Sequence, residues 1–467
     1  MATAEAISGS FRDPDGFLFT IDGIIHRQVN LRHRTSWDLL HTSGLYARLV
    51  ETGLLIEHEE VSIELAPRPL AYRVIRPRPI PFISYPYEWS FSELKDAALA
   101  TLQIQRLAVE HGMTLKDASA YNIQFSLGRP IFIDRLSFEP YVDGAPWVAY
   151  RQFCQHFLAP LALIACRDVR LSQLLRIYID GIPLDLASRL MPFRTHFRFG
   201  VLTHVHLHAR SQSHYADATR GGEKVRHAQV RRVGLLGLLD SLESTVRGLT
   251  WAAVGTEWVD YYRDTNYSAA AVEHKTQLVR KGIEAVTPST VWDFGGNTGV
   301  FSRLAVEAGA QVVSWDVDPA AVEQNYLLLR REGPRPLLPL VIDLTNPSGA
   351  VGWANEERMS LAERGPVDLV MALALIHHLA IANNIPLDRV ADFFVKLANN
   401  LLIEFVPKQD SQVQRLLATR EDIFDAYDQA GFEAAFARHY EIIESQSIRT
   451  TSRTLYLLRR RMGASAA

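Results

Sequence analysis

The sequence predicts an α/β protein, in which a mostly parallel sheet of seven strands follows an N-terminal α+β domain. Three observations predict this fold class. Residues 291–319 read as strand, glycine turn, helix and second strand. Apolar strands then alternate with helical segments up to residue 461. Before residue 200 the pattern differs, because hairpin signals and long helices occur there without this alternation.

The stretch from Val291 to Pro319 is typical of half of a Rossmann-like βαβ unit. Asp293 ends an apolar run, and Gly295 and Gly299 follow in a turn. Glycine permits positive φ there and lets a ligand approach the backbone. Asp316 closes the second strand, about 20 positions after the glycines, where a carboxylate can accept hydrogen bonds from both ribose hydroxyls.

The residues around this turn distinguish between cofactors. The carboxylate of Asp293 would repel a pyrophosphate but suits a ligand that carries an ammonium or sulfonium group. The spacing Asp-x-Gly-x-x-x-Gly also differs from the dinucleotide pattern Gly-x-Gly-x-x-Gly. The segment therefore favours S-adenosylmethionine over NAD, and it resembles motif I of class I methyltransferases. Asp293-Phe294-Gly295 also spells the kinase triplet, but a kinase has no such glycine turn and acidic strand after it.

This resemblance covers roughly residues 255–461 and implies a set of cofactor-binding residues. In the family an acid after the third strand accepts from the adenine amino group, and aromatic residues before the glycine turn cover the cofactor. The implied residues are Asp293, Gly295, Gly296, Asn297, Gly299, Asp316, Val317, Asp343, Leu344, Ala372 and Tyr267.

Strands are also predicted at 339–342, 367–373, 401–406, 440–445 and 454–458, and a helix at 420–430. The family's seventh strand is antiparallel, which suits a terminal hairpin. His377 and His378 follow the fourth strand, where either could act as a general base or wall the cofactor site. Glu404, near the end of the fifth strand, could contact the acceptor or form a structural salt bridge.

Residues 115–139 carry a second informative pattern, with Asp117 and Asn122 at Asp-x-x-x-x-Asn spacing and Asp134 after a short hairpin. This order resembles the catalytic core of protein kinases and small-molecule phosphotransferases, in which these residues are the base and the Mg²⁺ ligands. The sequence departs from that pattern, because no glycine-rich phosphate loop precedes it and no clear lysine–acid pair is present; Arg27 or Arg73 could substitute for the lysine. A degenerate binding domain, a working phosphotransferase and an unrelated domain all remain open.

The front half also predicts a hairpin at 16–29 around Asp22-Gly23, a helix at 36–55 with Ser36 as N-cap, and a long helix at 91–111. His204, His206 and His208 alternate as on one face of a strand. They could converge on a metal, but no carboxylate or cysteine is interleaved, so hydrogen-bonded or exposed histidines are favoured and no metal site is predicted.

The composition of the chain limits the classes of binding partner that the sequence suggests. The net charge is −3 and only two cysteines are present, so neither a long nucleic acid nor a disulfide framework is indicated. No signal peptide and no apolar run of bilayer length appear, so a cytoplasmic protein without a membrane partner is expected.

We therefore predict an N-terminal domain at 1–200 that binds an acceptor or partner, a linker and connector helix at 201–254, and a methyltransferase domain at 255–467. The predicted reaction moves a methyl group to an O or N nucleophile of a small molecule, glycan or peptide. The alternatives are a second, ATP-dependent phosphotransferase activity in the N-terminal domain, or a non-catalytic scaffold that binds the cofactor. The front-to-back layout resembles methyltransferase-like proteins associated with nodulation, a resemblance that names no chemistry.

Overall fold

The computed structural model describes residues 4–209, 231–253, 268–461 and 463. The chain forms two compact units. Unit 1 comprises residues 1–252 together with 351–358, and unit 2 comprises residues 253–350 and 359–467. The division near residue 252 lies close to the predicted start of the second domain. The short segment 351–358, however, belongs to unit 1 although its neighbours in sequence belong to unit 2.

Unit 1 contains a five-stranded antiparallel sheet in the order β1-β2-β3-β5-β4, a β6–β9 pair and a β7–β8 hairpin. The strands are β1 Glu5–Ala6, β2 Gly16–Ile21, β3 Ile24–Asn30, β4 His58–Val61, β5 Ala71–Pro77, β6 Met113–Leu115, β7 Ile123–Ser126, β8 Arg129–Phe132 and β9 Phe138–Pro140. The predicted hairpin at 16–29 is present, with Asp22 and Gly23 at positive φ in its turn.

Helices supply the rest of unit 1. They are α1 Arg34–Thr42, α2 Leu45–Glu51, α3 Phe91–Glu110, α4 Tyr150–Phe153, α5 Ala159–Cys166, α6 Leu174–Ile177, α7 Leu184–Leu190, α8 Phe199–Val201 and α9 Arg232–Gly248. The long helix α3 begins with a capping box, in which Ser90 accepts from the backbone N–H of Glu93 and Glu93 accepts from that of Ser90. Helix α9 lies in unit 1 and packs on α3, where the Lys95 ammonium donates to the carbonyl of Leu249 at 2.7 Å.

Two sequence expectations about unit 1 are wrong. The single helix predicted at 36–55 is two helices, because Gly44 adopts φ 81° between them, and α1 starts before Ser36, which is therefore not its N-cap. The segment with His204, His206 and His208 is not a strand. It is a π-helical turn, Leu202–Leu207, so the alternation of histidines does not place them on one strand face.

Unit 2 is built on a seven-stranded sheet in the order β12-β11-β10-β13-β14-β16-β15. The strands are β10 Thr290–Phe294, β11 Gln311–Asp316, β12 Leu337–Val341, β13 Val367–Ala372, β14 Ala398–Phe405, β15 Tyr440–Ser447 and β16 Thr454–Arg460. Strands β10 to β14 are parallel, and β16 runs antiparallel to both β14 and β15. Numbered within this sheet, the order is 3-2-1-4-5-7-6 with an antiparallel seventh strand. This is the Rossmann-like methyltransferase fold predicted from the sequence.

The helices of unit 2 connect these strands. They are α10 Ala269–Val286, α11 Val300–Glu307, α12 Pro319–Glu332, α13 Leu387–Leu397, α14 Ser411–Leu417 and α15 Gln429–Ala437. The prediction of a helix at 420–430 is wrong, because the helix in this region is Gln429–Ala437. Asp428 instead caps the start of α15 by accepting from the backbone N–H of Gly431 at 2.7 Å, so Gly431 lies in its first turn. A β-carbon at Gly431 would stand 2.1 Å from the carbonyl oxygen of Ala426.

Candidate active site

Unit 2 contains a cavity of about 710 Å³ at the carboxyl ends of its parallel strands. It opens where the strand order reverses, between β10 and β13, which is where open α/β sheets bind ligands. Polar residues come from the ends of β10, β11 and β12, and aliphatic residues come from the segment after β13. The lining includes Lys275, Asp293, Gly295, Gly296, Asn297, Phe301, Trp315, Asp316, Val317, Asp343, Leu344, Thr345, Leu373, Ala374, Leu375, His378, Leu379, Ala382 and Leu416.

Asp316 ends β11 and is fixed by the backbone of two turns. One carboxylate oxygen accepts from the N–H of Asn297 at 2.8 Å and the other accepts from the N–H of Asp318 at 2.8 Å. Burial raises the pKa of the Asp316 carboxyl to about 6. Each carboxylate oxygen has a further lone pair, so Asp316 can still accept hydrogen bonds from a ligand in the cavity.

Asp293 ends β10 beside the glycine turn. Its carboxylate accepts from the hydroxyl of Ser302 at 2.6 Å, and burial raises its pKa to about 6. Gly295 adopts φ 73° and Asn297 φ 48°, so the chain between them makes the tight turn that the glycines predict. The turn leaves the carboxylates of Asp293 and Asp316 facing the same cavity.

The remaining implied cofactor residues divide into two groups. Val317, Asp343 and Leu344 line the cavity, although one carboxylate oxygen of Asp343 accepts from the hydroxyl of Thr345 at 2.6 Å. Gly299 and Ala372 lie outside the lining. Gly299 instead caps α11 at φ 79°, and a β-carbon there would stand 2.5 Å from the side chain of Asn325. Tyr267 lies outside the described residues.

The two histidines after β13 occupy different environments. His378 lines the cavity, and burial lowers its pKa to about 4. The ring of His377 contacts that of His378 in a tilted arrangement, with centroids 4.1 Å apart, but His377 is 1% exposed and does not line the cavity. At neutral pH His378 is therefore an uncharged and weak base within reach of a ligand.

Glu404 is fully buried and absent from the cavity wall. Its carboxylate lies 2.6 Å from the ammonium of Lys275 and 3.3 Å from the guanidinium of Arg453, which also pairs with Asp410 at 2.7 Å. The geometry corresponds to the structural salt bridge, the second of the two roles weighed for Glu404.

Several residues that line the cavity of unit 2 were not predicted from the sequence. Lys275 is not among the cofactor-binding residues that the resemblance implies, yet it lines the cavity and its ammonium lies 4.9 Å from the centroid of the Phe301 ring. The aliphatic residues Leu375, Leu379 and Leu416 were not singled out either. Their positions just after parallel strands and on a neighbouring helix were the available signal, but apolar residues at such positions are usually core.

In unit 1 the three residues of the kinase-like pattern lie on consecutive segments that follow β6 and β8. Asp117 accepts from the backbone N–H of Ser119 at 2.9 Å, and the amide of Asn122 donates to the hydroxyl of Ser137 at 3.2 Å. The same hydroxyl donates to Asp134 at 2.5 Å. The β7–β8 hairpin lies between Asn122 and Asp134, which is the order that the kinase-like pattern of the sequence predicts.

Positive charge in this part of unit 1 is already balanced by carboxylates. The guanidinium of Arg27, on β3, lies 2.6 Å from Asp134 and 3.2 Å from Asp13. Lys116 pairs with Asp15. Burial opposes ionisation of Asp134, but Arg27 and the hydrogen bond from Ser137 outweigh it and lower the pKa of this carboxyl. Arg27 therefore occupies the position next to Asp134 where the resemblance calls for lysine and Mg²⁺.

Within the described ranges, no group of three or more His, Cys, Asp or Glu side chains is arranged to hold a metal ion. The histidines of the π-helical turn bind hydroxyls instead: His204 lies 2.8 Å from Tyr150 and 2.9 Å from Ser241. His206 lies 2.7 Å from Ser188 and 2.8 Å from Thr195. Among the residues that the structure describes, no helix is long and apolar enough to cross a bilayer.

The polar and apolar groups that line the unit 2 cavity suit an adenosyl compound with a cationic end. Asp293, Asp316 and Asp343 provide acceptors for hydroxyl, amino and ammonium groups, while the aliphatic wall suits a planar base and a thioether. The ammonium of Lys275 is matched by Glu404, so it adds no net positive charge that would repel a sulfonium.

Comparisons with known proteins were made for the whole chain. No family model matches it. Nodulation protein NoeA of Rhizobium meliloti (strain 1021) is 35% identical over 462 residues, which cover 97% of this chain and 96% of that protein.

Solved structures are similar only distantly. WbdD shares 14% identity over 44% of this chain and 43% of its own, with a TM-score of 0.32. The N-methyltransferase NodS from Bradyrhizobium japonicum WM9 shares 15% over 42% of this chain and 99% of its own, with a TM-score of 0.31. Magnesium protoporphyrin IX methyltransferase from Synechocystis PCC 6803, with bound SAH, shares 16% over 44% and 93%, also at 0.31.

Proposed function

The chain belongs to the family of nodulation protein NoeA, and we propose that it is an S-adenosylmethionine-dependent methyltransferase that modifies an O or N nucleophile. The acceptor class is a small molecule, a glycan or a peptide. The observation that carries the proposal is the juxtaposition, around one cavity of about 710 Å³, of the glycine turn after β10 and the carboxylate of Asp316.

Each residue has a task that its environment supports. Asp316 accepts from the ribose hydroxyls, with its orientation set by the backbone N–H groups of Asn297 and Asp318. Asp293 stabilises the cationic end of the cofactor. Leu375 and Leu379 exclude water from the wall after β13, which strengthens these electrostatic interactions.

When bound, the cofactor would supply a methyl group on a sulfonium. The acceptor's nucleophile would form the new bond to carbon as the bond to sulfur breaks, S-adenosylhomocysteine would leave, and the proton of the attacking O–H or N–H group would pass to solvent. Orientation and desolvation by the chain then provide most of the acceleration. His378 is the described imidazole in the cavity wall, and it is neutral at pH 7 because burial lowers its pKa to about 4. It can accept a hydrogen bond from an acceptor hydroxyl or amine, but it is too weak a base to ionise an alcohol.

Calorimetric titration of the full chain with S-adenosylhomocysteine tests the proposal. We expect binding that Asp316→Ala weakens at least about 10-fold, because it removes an acceptor for two hydroxyls. Asp425→Ala, at an exposed carboxylate outside the cavity, is the matched control and should bind as the wild type does. Absence of binding, or equal binding by the Asp316 variant, would overturn the proposal.

A non-catalytic scaffold that binds the cofactor is the nearest competing function. It predicts binding without consumption, so it is distinguished by incubating the chain with labelled S-adenosylmethionine and candidate acceptors of the three classes. Transfer of label by the wild type and not by Asp316→Ala excludes the scaffold.

A second activity in unit 1 has one observation in its favour, which is the proximity of Asn122 and Asp134 through the hydroxyl of Ser137. The ion pair of Arg27 with Asp134 opposes it, because a metal ion would have to displace the guanidinium. Titration of the full chain with Mg²⁺-ATP tests whether unit 1 binds a nucleotide. Binding that is lost in Asp134→Ala would establish a nucleotide site, and no binding would leave unit 1 as a module for an acceptor or partner.

A further inference from the structure

Residues 193–199 of unit 1 expose three phenylalanines. Phe193, Phe197 and Phe199 are 75%, 81% and 76% exposed. The rings of Phe193 and Phe197 contact each other edge to face, with centroids 5.8 Å apart. The touching side chains of Phe193 and Phe197 alone present on the order of 300 Å² of apolar surface, the scale at which an exposed patch marks an interaction site. We call residues 193–199 the Phe-Arg segment.

The exposure is held in place by contacts on the inner side of the segment. Thr195 is 1% exposed and bonds to His206 at 2.8 Å, and His206 bonds in turn to Ser188 at 2.7 Å. His196 stacks on His206 with centroids 3.9 Å apart. A β-carbon at Gly200 would stand 1.9 Å from the hydroxyl of Thr245, so the end of the segment lies tightly against α9. The phenylalanines are therefore turned outward by a fixed backbone.

Cationic groups lie between the phenylalanines. Arg194 and Arg198 are exposed. The guanidinium of Arg194 donates to the carbonyl oxygen of Cys166 at 3.1 Å, and that of Arg198 donates to the sulfur of Cys166 at 3.6 Å. Within the described part of the chain neither arginine forms an ion pair with a carboxylate, whereas the nearby Arg170 is matched by Asp168 at 2.6 Å. Residues 166–200 carry six arginines and three aspartates, in a chain whose net charge is −3.

We propose that the Phe-Arg segment docks unit 1 on the surface of an anionic lipid bilayer. Phenylalanine side chains insert into the boundary between headgroups and acyl chains, and adjacent arginines bind lipid phosphates with their stems along the apolar surface. The segment projects single rings from a short turn, and its charge is complementary to an anionic surface. The sequence predicts no membrane partner because it has neither a bilayer-length apolar run nor a global excess of basic residues. Docking through one local cluster of exposed phenylalanines and arginines requires neither of these features.

Flotation with vesicles tests this proposal on the full chain. One set of vesicles is phosphatidylcholine alone, and the other is an equimolar mixture of phosphatidylcholine and phosphatidylglycerol. We expect the wild type to float with the mixed vesicles and not with the neutral ones. Binding should weaken as salt is added, because screening reduces the attraction of the arginines to the surface.

Two variants and a control separate the contributions of the phenylalanines and the arginines to vesicle binding. The triple variant F193S/F197S/F199S should weaken binding at least about 100-fold, since it removes three apolar side chains from the interface. The variant R194Q/R198Q should weaken it roughly 10- to 30-fold. The control L70S/V233S/I423S removes three other exposed apolar side chains, which are 72%, 81% and 63% exposed, and should bind as the wild type does.

All variants should keep the wild-type circular dichroism and melting temperature, because the substituted side chains are exposed. The proposal is overturned if the wild type does not float, or if the triple phenylalanine variant still does. It is also overturned if the wild type is a dimer by light scattering, ignores vesicles, and becomes monomeric in the triple variant, since the Phe-Arg segment would then join two copies of the chain.

Discussion

The ammonium of Lys275, on α10, lies 2.6 Å from the carboxylate of Glu404, on β14. Both side chains are buried, and Lys275 also lines the cavity of unit 2. Burial lowers the pKa of Lys275, and the carboxylate of Glu404 opposes this shift. The pair therefore keeps the cavity wall electrically balanced and joins it to the centre of the sheet.

Breaking this pair from the acidic side should destabilise unit 2. Glu404→Gln leaves the buried charges of Lys275 and Arg453 without their shared carboxylate, and we expect a loss of about 3–5 kcal/mol in the free energy of unfolding. Urea denaturation measures it. Glu444→Gln is the matched control, because Glu444 pairs with Lys281 at the surface and should contribute less than about 1 kcal/mol. Equal losses would contradict the role assigned to the buried pair.

Binding of S-adenosylhomocysteine should weaken below about pH 6. Burial raises the pKa of Asp316 to about 6, so this carboxyl becomes protonated as the pH falls through that value and loses its ability to accept two hydrogen bonds. We expect about 10-fold weaker binding at pH 5 than at pH 7.5, measured by calorimetry. In Asp316→Asn the affinity for S-adenosylhomocysteine should depend less steeply on pH. The remaining dependence would come from Asp293, whose pKa is also about 6. An unchanged slope in that variant would refute the assignment.

Unit 1 should lose stability in mild acid. Burial lowers the pKa values of His156 and His204 to about 4, below the ordinary value of 6.5. The neutral forms are therefore favoured in the folded state, so their contribution to stability is complete above pH 6.5 and is lost as the pH falls towards 4. The loss is on the order of 3 kcal/mol for each histidine.

Urea denaturation at about pH 7.5 and pH 5 measures this loss. The variant His204→Gln should reduce the difference between the two conditions, whereas His274→Gln, at a partly exposed position in unit 2, should leave it unchanged. A difference that is undiminished in His204→Gln would assign the acid sensitivity to other groups.

Two glycines with similar backbone conformations should respond differently to alanine. Gly299 has φ 79°, and its β-carbon would stand 2.5 Å from Asn325, while Gly309 has φ 93° and nothing within 4 Å. Gly309→Ala should cost about 1–2 kcal/mol from backbone strain alone. Gly299→Ala should cost about 1–3 kcal/mol more, because Asn325 must move. Thermal unfolding of both variants measures the two losses of stability. Equal losses would show that the Asn325 side chain moves aside at little cost in free energy.

Local patterns were sufficient for much of the fold. The hairpin at Asp22-Gly23, the helix from Phe91 and the glycine turn after Asp293 were predicted because each depends on residues near one another in sequence. The antiparallel seventh strand of unit 2 followed from the resemblance. The errors at 36–55 and 420–430 have the same origin: a glycine inside an apolar pattern can break a helix, as Gly44 does, or lie in the first turn of the next, as Gly431 does.

By itself the sequence determined the polar edge of the candidate site, because strand ends and glycine turns fix where Asp293 and Asp316 can lie. Only the tertiary structure decided which cations meet which carboxylates: Lys275 meets Glu404, and Arg27 meets Asp134. It also decided which apolar residues remain exposed, such as Phe193 and Phe197. Burial and ion pairing are properties of residues distant along the chain, and no local pattern encodes which of them will be neighbours.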